Sequence, residues 1–124
     1  MAKILIVEDN PANMTLAKFL LESAGHDVLG ATNAETGVAV AREERPDLVL
    51  MDIQLPGMDG LQATALLKAD ESTRAIPVIA LTALAMKGDE QRIRAAGCDG
   101  YIAKPLAYKK FLATVAAQLE KAPV

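Results

Sequence analysis

The sequence predicts an α/β domain in which five parallel strands alternate with five helices. Three observations predict it: short apolar runs closed by turn residues, helical spacing of apolar residues between those runs, and connections of only a few residues. Residues 4–7 (Ile-Leu-Ile-Val) run into Glu8-Asp9-Asn10-Pro11, residues 48–51 end at Asp52, and residues 78–81 follow Pro77. Runs without polar alternation suit strands buried on both faces of a parallel sheet. Residues 28–31 and 101–103, the latter ahead of Lys104-Pro105, are the weaker strands.

The helices follow in order. After Asn10-Pro11, residues Ala17, Leu20, Leu21 and Ala24 repeat at helical spacing and Gly25 supplies a stop. Asn33 caps a second helix that ends before Pro46, and Asp59-Gly60 opens a third through Leu66-Leu67. Residues 86–95 form the weakest helix, with a thin apolar stripe and Gly88 inside it. The last is the clearest: Tyr108, Phe111, Leu112, Val115, Ala116 and Leu119 mark one stripe, away from Lys109, Lys110, Gln118 and Glu120. Strand and helix alternating in this way give a doubly wound sheet through right-handed crossovers.

At 124 residues, one domain over 1–124 is the expectation. The longest nearly apolar run, residues 78–86, is far shorter than the ~20 residues a membrane span needs. The start lacks the apolar core of a secretory signal, so a cytoplasmic location is expected. One cysteine, Cys98, excludes an internal disulfide and a paired-thiolate metal site, and reads as a small apolar filler. Thirteen basic against sixteen acidic residues, with no basic cluster along a helix, argue against nucleic acid as a direct partner. His26, following Gly25, reads as a solvated loop residue with no role.

Ligands of such sheets bind at the carboxyl edge, near the reversal of strand order. There strand one delivers Glu8 and Asp9, strand three Asp52, strand four Thr82-Ala83 and strand five Lys104-Pro105. Singly, each has a plain structural explanation: an acid after a strand caps the next helix, and a lysine before proline is a loop charge. Together they form a chemical set. Like charges ~4 Å apart cost about 4 kcal/mol at an effective dielectric of 20, so three gathered carboxylates call for a cation. A hard divalent ion, Mg²⁺ or Mn²⁺, suits oxygen ligands. Lys104 supplies a mobile positive charge, Asp52 becomes a nucleophile toward phosphorus, and Thr82 can donate its hydroxyl to the new phosphate.

These residues, with residues 46–60 (Pro-Asp-Leu-Val-Leu-Met-Asp-Ile-Gln-Leu-Pro-Gly-Met-Asp-Gly), 77–83 and 97–105, resemble the response regulator receiver family over nearly the whole chain. Residues 85–90 followed by Gly97-Cys98 look most like single-domain regulators of the DivK type and the receivers of hybrid kinases. The resemblance implies a flavodoxin-like sheet of order 2-1-3-4-5. It implies Asp52 as phosphoacceptor, with Asp9, Asp52 and the backbone carbonyl of Gln54 as metal ligands and Glu8 acting partly through water. It further implies Lys104 on the phosphoryl group, a cis peptide before Pro105, and switching through Thr82 and Tyr101 at the helix 4/strand 5/helix 5 face. Tyr101 also reads plainly as a half-buried strand aromatic.

The expected function is therefore a two-component signalling receiver that takes its phosphoryl group from a sensor histidine kinase or histidine phosphotransfer protein and controls a downstream protein target. It is not a turnover enzyme: it catalyses only its own phosphorylation and dephosphorylation. A monomer or weak dimer is expected, either stand-alone or excised from a hybrid kinase. A nucleotide or flavin binder would want a glycine- or hydroxyl-rich loop where Glu8-Asp9-Asn10-Pro11 stands. An aspartate-nucleophile phosphatase would need a substrate cap. A receiver that binds partners without phosphorylation is the alternative, and the intact acids, Thr82 and Lys104 argue against it. Leu84, two residues beyond Thr82, cannot orient water as Gln54 could, which predicts slow loss of phosphate.

Overall fold

The computed structural model of the chain describes residues 2–82, 87–104 and 106–121. Five strands and five helices alternate: β1 (Lys3–Val7), α1 (Pro11–Ser23), β2 (Asp27–Ala31), α2 (Ala34–Glu44), β3 (Leu48–Asp52), α3 (Gly60–Ala69), β4 (Val78–Thr82), α4 (Lys87–Ala95), β5 (Gly100–Ala103) and α5 (Tyr108–Lys121). The sheet is parallel throughout with order β2-β1-β3-β4-β5, as expected. Of the described helices none is long and apolar enough to cross a membrane.

The apolar strand runs are explained by a core on each face of the sheet. In β1, Leu5 and Val7 pack with Val38 and Ala41 of α2 and Ala63 and Leu67 of α3, whereas Ile4 and Ile6 pack with Leu20 and Leu21 of α1 and Phe111 and Val115 of α5. Successive side chains point to opposite faces of a strand, so covering both faces demands apolar residues at every position. Strands β3 and β4 are buried at all five positions, while β2, at the edge, is buried only at Ala31.

The helix boundaries follow local chemistry. Asn10 caps α1, its Oδ1 accepting from the amides of Ala12 and Asn13 at 2.9 and 3.1 Å, and Pro11 fills the first helical position. Asn33 caps α2 through the Thr36 amide, and Asp59 with Gln62 forms a reciprocal capping box on α3. Gly25 lies at φ 91°, two residues past the end of α1.

Three sequence expectations are corrected. Ala24 is the exposed C-cap of α1 and not part of its buried stripe, because the helix has ended there. On α5 Phe111 and Val115 are buried and Leu112 and Leu119 pack partly buried beside them, whereas Tyr108 is 59% exposed and Ala116 is exposed. His26 is half-buried and not simply solvated: its Nδ1 accepts the Ala2 amide at 3.3 Å, tying the chain start to the α1–β2 turn.

Candidate functional site

Parallel strands end at a common edge, and the register fixes which residues meet there. Val7 pairs with Met51, so Glu8 and Asp52 leave the ends of neighbouring strands together. Asp52 lies opposite Leu81, Thr82 lies opposite Ala103, and the Lys104 amide donates to the Thr82 carbonyl at 2.7 Å. Widely separated residues thus converge on one cleft of ≈ 480 Å³, whose lining includes Glu8, Asp9, Asn13, Asp52, Gln54 and Lys104 together with Asn10 and Pro11.

Lys104 organises the cleft. Its Nζ stands 2.9 Å from Asp52 Oδ2 and 2.8 Å from Glu8 Oε1, bridging two carboxylates that are almost wholly buried. The other Asp52 oxygen, Oδ1, accepts the Gln54 amide at 2.9 Å, and Glu8 Oε2 accepts the Asn10 amide at 3.2 Å. Burial pulls the Lys104 ammonium down, but hydrogen bonds to Glu8 and Asp52 outweigh it and hold the group above its ordinary value. Burial, reinforced by Asp52, pushes Glu8 up to about 7 against the pull of Lys104 and the Asn10 amide.

Carboxylate oxygens of Glu8, Asp9 and Asp52 lie within 4.8 Å of one another, Asp9 being the exposed member. The donor set fits a hard divalent cation. With all three acids ionised, Lys104 leaves two negative charges uncompensated. Glu8 Oε1 is buried, with the Lys104 ammonium 2.8 Å away as an ion-pair contact.

The structure brings Glu8, Asp9, Asp52, Gln54 and Lys104 together around one cleft and places Thr82 fully buried at the end of β4. Tyr101 is half-buried, packs against the core on the α2/α3 face, and lines a second cavity of ≈ 320 Å³ with Lys104 and Phe111. The expected cis bond before Pro105, and Ala83 and Leu84 beyond Thr82, lie outside the described residues.

Sequence reasoning missed why Gly60 matters to the site. A Cβ there would stand 2.1 Å from the carbonyl oxygen of Asp52 and 2.8 Å from Ile53 Cα, so only glycine lets α3 start against the backbone that presents the carboxylate. The signal was a glycine directly after the Asp59 cap, where a better helix former costs nothing locally.

A sheet of this order with acids, threonine and lysine at its carboxyl edge defines a class, and the family model described as "Response regulator receiver domain" matches residues 4–116. The chain belongs to the response regulator receiver family and is a receiver domain of two-component signal transduction. Within that family it is DivK-like: it is 50% identical over 116 residues to the polar-differentiation response regulator DivK of Brucella anthropi, covering 94% of each chain. Among solved structures, it is similar to the receiver domain of sensor histidine kinase PA1611 from Pseudomonas aeruginosa PAO1, with TM-score 0.90, 37% identity, and coverage of 96% of this chain and 98% of that one. That structure has a magnesium ion coordinated in its active site cleft. Chemotaxis protein CheY4 of Vibrio cholerae is similar in fold, with TM-score 0.90, 26% identity, and coverage of 94% and 98%.

Proposed function

We propose that the chain accepts a phosphoryl group from a phosphohistidine onto Asp52 in a Mg²⁺-dependent reaction and returns a conformational signal to a protein target. The observation that carries this reading is the Lys104 ammonium held 2.9 Å from a buried Asp52 carboxylate, with Asp9 and Glu8 gathered beside it. Asp9, Asp52 and the Gln54 carbonyl would hold the cation, with Glu8 acting partly through water. When bound, the ion would supply positive charge against the phosphoryl oxygens.

The chain's own residues do the rest. The Asp52 carboxylate attacks phosphorus, the P–N bond breaks, and the electron pair leaves with the donor imidazole. The Gln54 amide on Oδ1 and Lys104 on Oδ2 fix the carboxylate plane before attack. The raised pKa of Lys104 keeps its proton, and the ammonium turns from Asp52 toward a phosphoryl oxygen. Thr82 turns its hydroxyl to the phosphate, and Tyr101 follows into the space released, altering the face of α4, β5 and α5. The chain changes only itself and turns over no separate substrate.

A histidine kinase or histidine phosphotransfer protein is the donor that this cleft's surroundings favour. Pro11 lines both the cleft and an adjoining apolar patch of Ala12, Thr15, Leu16 and Phe19, with Phe19 64% exposed. An apolar patch beside a reaction cleft suits a protein donor better than a small molecule.

Intact mass after incubation with acetyl phosphate and Mg²⁺ tests the chemistry. Gain of one phosphate by the wild type and none by Asp52→Ala is the expected result. No gain in either, or equal gain in both, refutes it.

A further inference from the structure

Asn13 stands in the third position of α1, where the helix has no use for its side chain. Its backbone amide is already served by Asn10 Oδ1 at 3.1 Å, and asparagine is among the weaker helix formers. Asn13 as a residue is half-buried, and its carboxamide has no hydrogen-bond partner among the described residues. It nevertheless lines the cleft of Glu8, Asp9 and Asp52.

Topology assigns it a side. In the order β2-β1-β3-β4-β5, Lys104 leaves β5 on one flank of Asp52, whereas Asp9 and Asn13 follow β1 on the other. The ammonium enters from the β5 side to bridge Asp52 and Glu8, and the exposed Asp9 carboxylate remains on the β1 side with Asn13. A small dication keeps several waters, and those waters present O–H donors outward. Their complement is an acceptor oxygen, and an uncharged one provides it without adding to the repulsion of the metal-free site. A carboxamide oxygen meets that description.

We infer that Asn13 is a positioning residue for the divalent cation, its Oδ1 accepting hydrogen bonds from water bound to the ion. The inference rests on the metal reading given above and deepens it. Removing an outer partner of this kind weakens metal affinity by about 10- to 100-fold, and a half-buried, water-mediated contact belongs at the lower end.

The test is Mn²⁺ titration of the full 124-residue chain, followed by the electron paramagnetic resonance signal of free Mn²⁺. Asn13→Ala should raise the Kd about tenfold, while its urea midpoint in EDTA stays at or above that of the wild type, alanine being the better helix former. Asn13→Asp, which keeps an acceptor oxygen, should bind as tightly as the wild type or more so. An Asn13→Ala Kd within twofold of the wild type overturns the inference, as does an Asn13→Asp loss equal to that of Asn13→Ala. Should the wild type leave Mn²⁺ free, the metal reading itself falls, and this inference with it.

Discussion

Replacing Gly60 by alanine puts one methyl group against the backbone of Asp52. The new Cβ would stand 2.1 Å from the Asp52 carbonyl oxygen and 2.8 Å from both the Asp52 carbonyl carbon and Ile53 Cα. Separations below 3.0 Å cannot persist, so helix or strand must retreat by about an ångström, and the obstacle is main chain with no rotamer to yield. Overpacking of this kind costs roughly 1–3 kcal/mol, and a rigid obstacle places it at the upper end. Alanine returns at most about 1 kcal/mol of helix propensity, and less in a first turn. The net expectation is about 2 kcal/mol of destabilisation, or ~8 °C in Tm at roughly 4 °C per kcal/mol for a domain of this size. Thermal unfolding by circular dichroism reads it directly. Gly57→Ala is the control: φ there is 75° but nothing lies within 4 Å, so left-handed strain of about 1 kcal/mol is the whole cost. A Gly60→Ala protein as stable as the Gly57→Ala control would refute the argument from close approach.

Glu8 should make the metal-free protein less stable as pH rises. Its folded pKa of about 7 exceeds the ordinary 4.5, so between those values the native state holds a proton that the unfolded chain has released. Its contribution is complete below pH 4.5 and gone above pH 7; Glu8→Gln should therefore gain ~2 kcal/mol relative to the wild type between pH 4.5 and 7.5 in urea titrations with EDTA. A pH-independent difference between the two proteins would remove Glu8 from the account. Phe19→Asp should slow phosphoryl transfer from a phosphorylated histidine phosphotransfer domain while leaving the acetyl phosphate rate within twofold, because the patch lies beside the reacting atoms; equal slowing with both donors would contradict that. Leu84→Asn should shorten the lifetime of the phosphorylated form followed by intact mass, and an unchanged or longer lifetime would tell against a water-orienting role at that position. Cys98 is 6% exposed and burial pushes its thiol up, so modification by a thiol reagent should track global unfolding, with prompt labelling at pH 8 the contrary result.

The strands were legible because burial on both faces leaves no room for polar residues: residues 48–51 and 78–81 stand out within β3 and β4, whose last residues are the polar Asp52 and Thr82. The edge strand β2 was faint for the converse reason, being largely uncovered. Asn10, Asn33 and Asp59 announced their helices through short side chains that reach backbone amides. The convergence of Glu8, Asp9, Asp52 and Lys104 was legible because parallel strands deliver their ends to one edge. The sharing of Lys104 between two buried acids was not, since it depends on side-chain reach. Nor was the approach of Gly60 to Asp52, which depends on the path of residues 53–59. The exposure of Tyr108 and the contact made by His26 escaped for the same reason: periodicity names a face without saying what covers it.

At the opposite edge of the sheet Asp99 accepts the Val78 amide at 2.8 Å and the Lys68 ammonium at 3.0 Å, and Lys68 also donates to the Ile76 carbonyl at 2.9 Å. The Asp99 amide returns a bond to the Val78 carbonyl at 2.7 Å, and Gln118 donates to the Asp99 carbonyl at 3.3 Å. One end of β4 and β5 is thereby stapled to α3 and α5, leaving Thr82 and Ala103 to complete the far ends. Side chains of two helices brace that end in addition to the strand ladder, so the Val78 amide should exchange slowest in β4 and exchange should quicken toward Thr82.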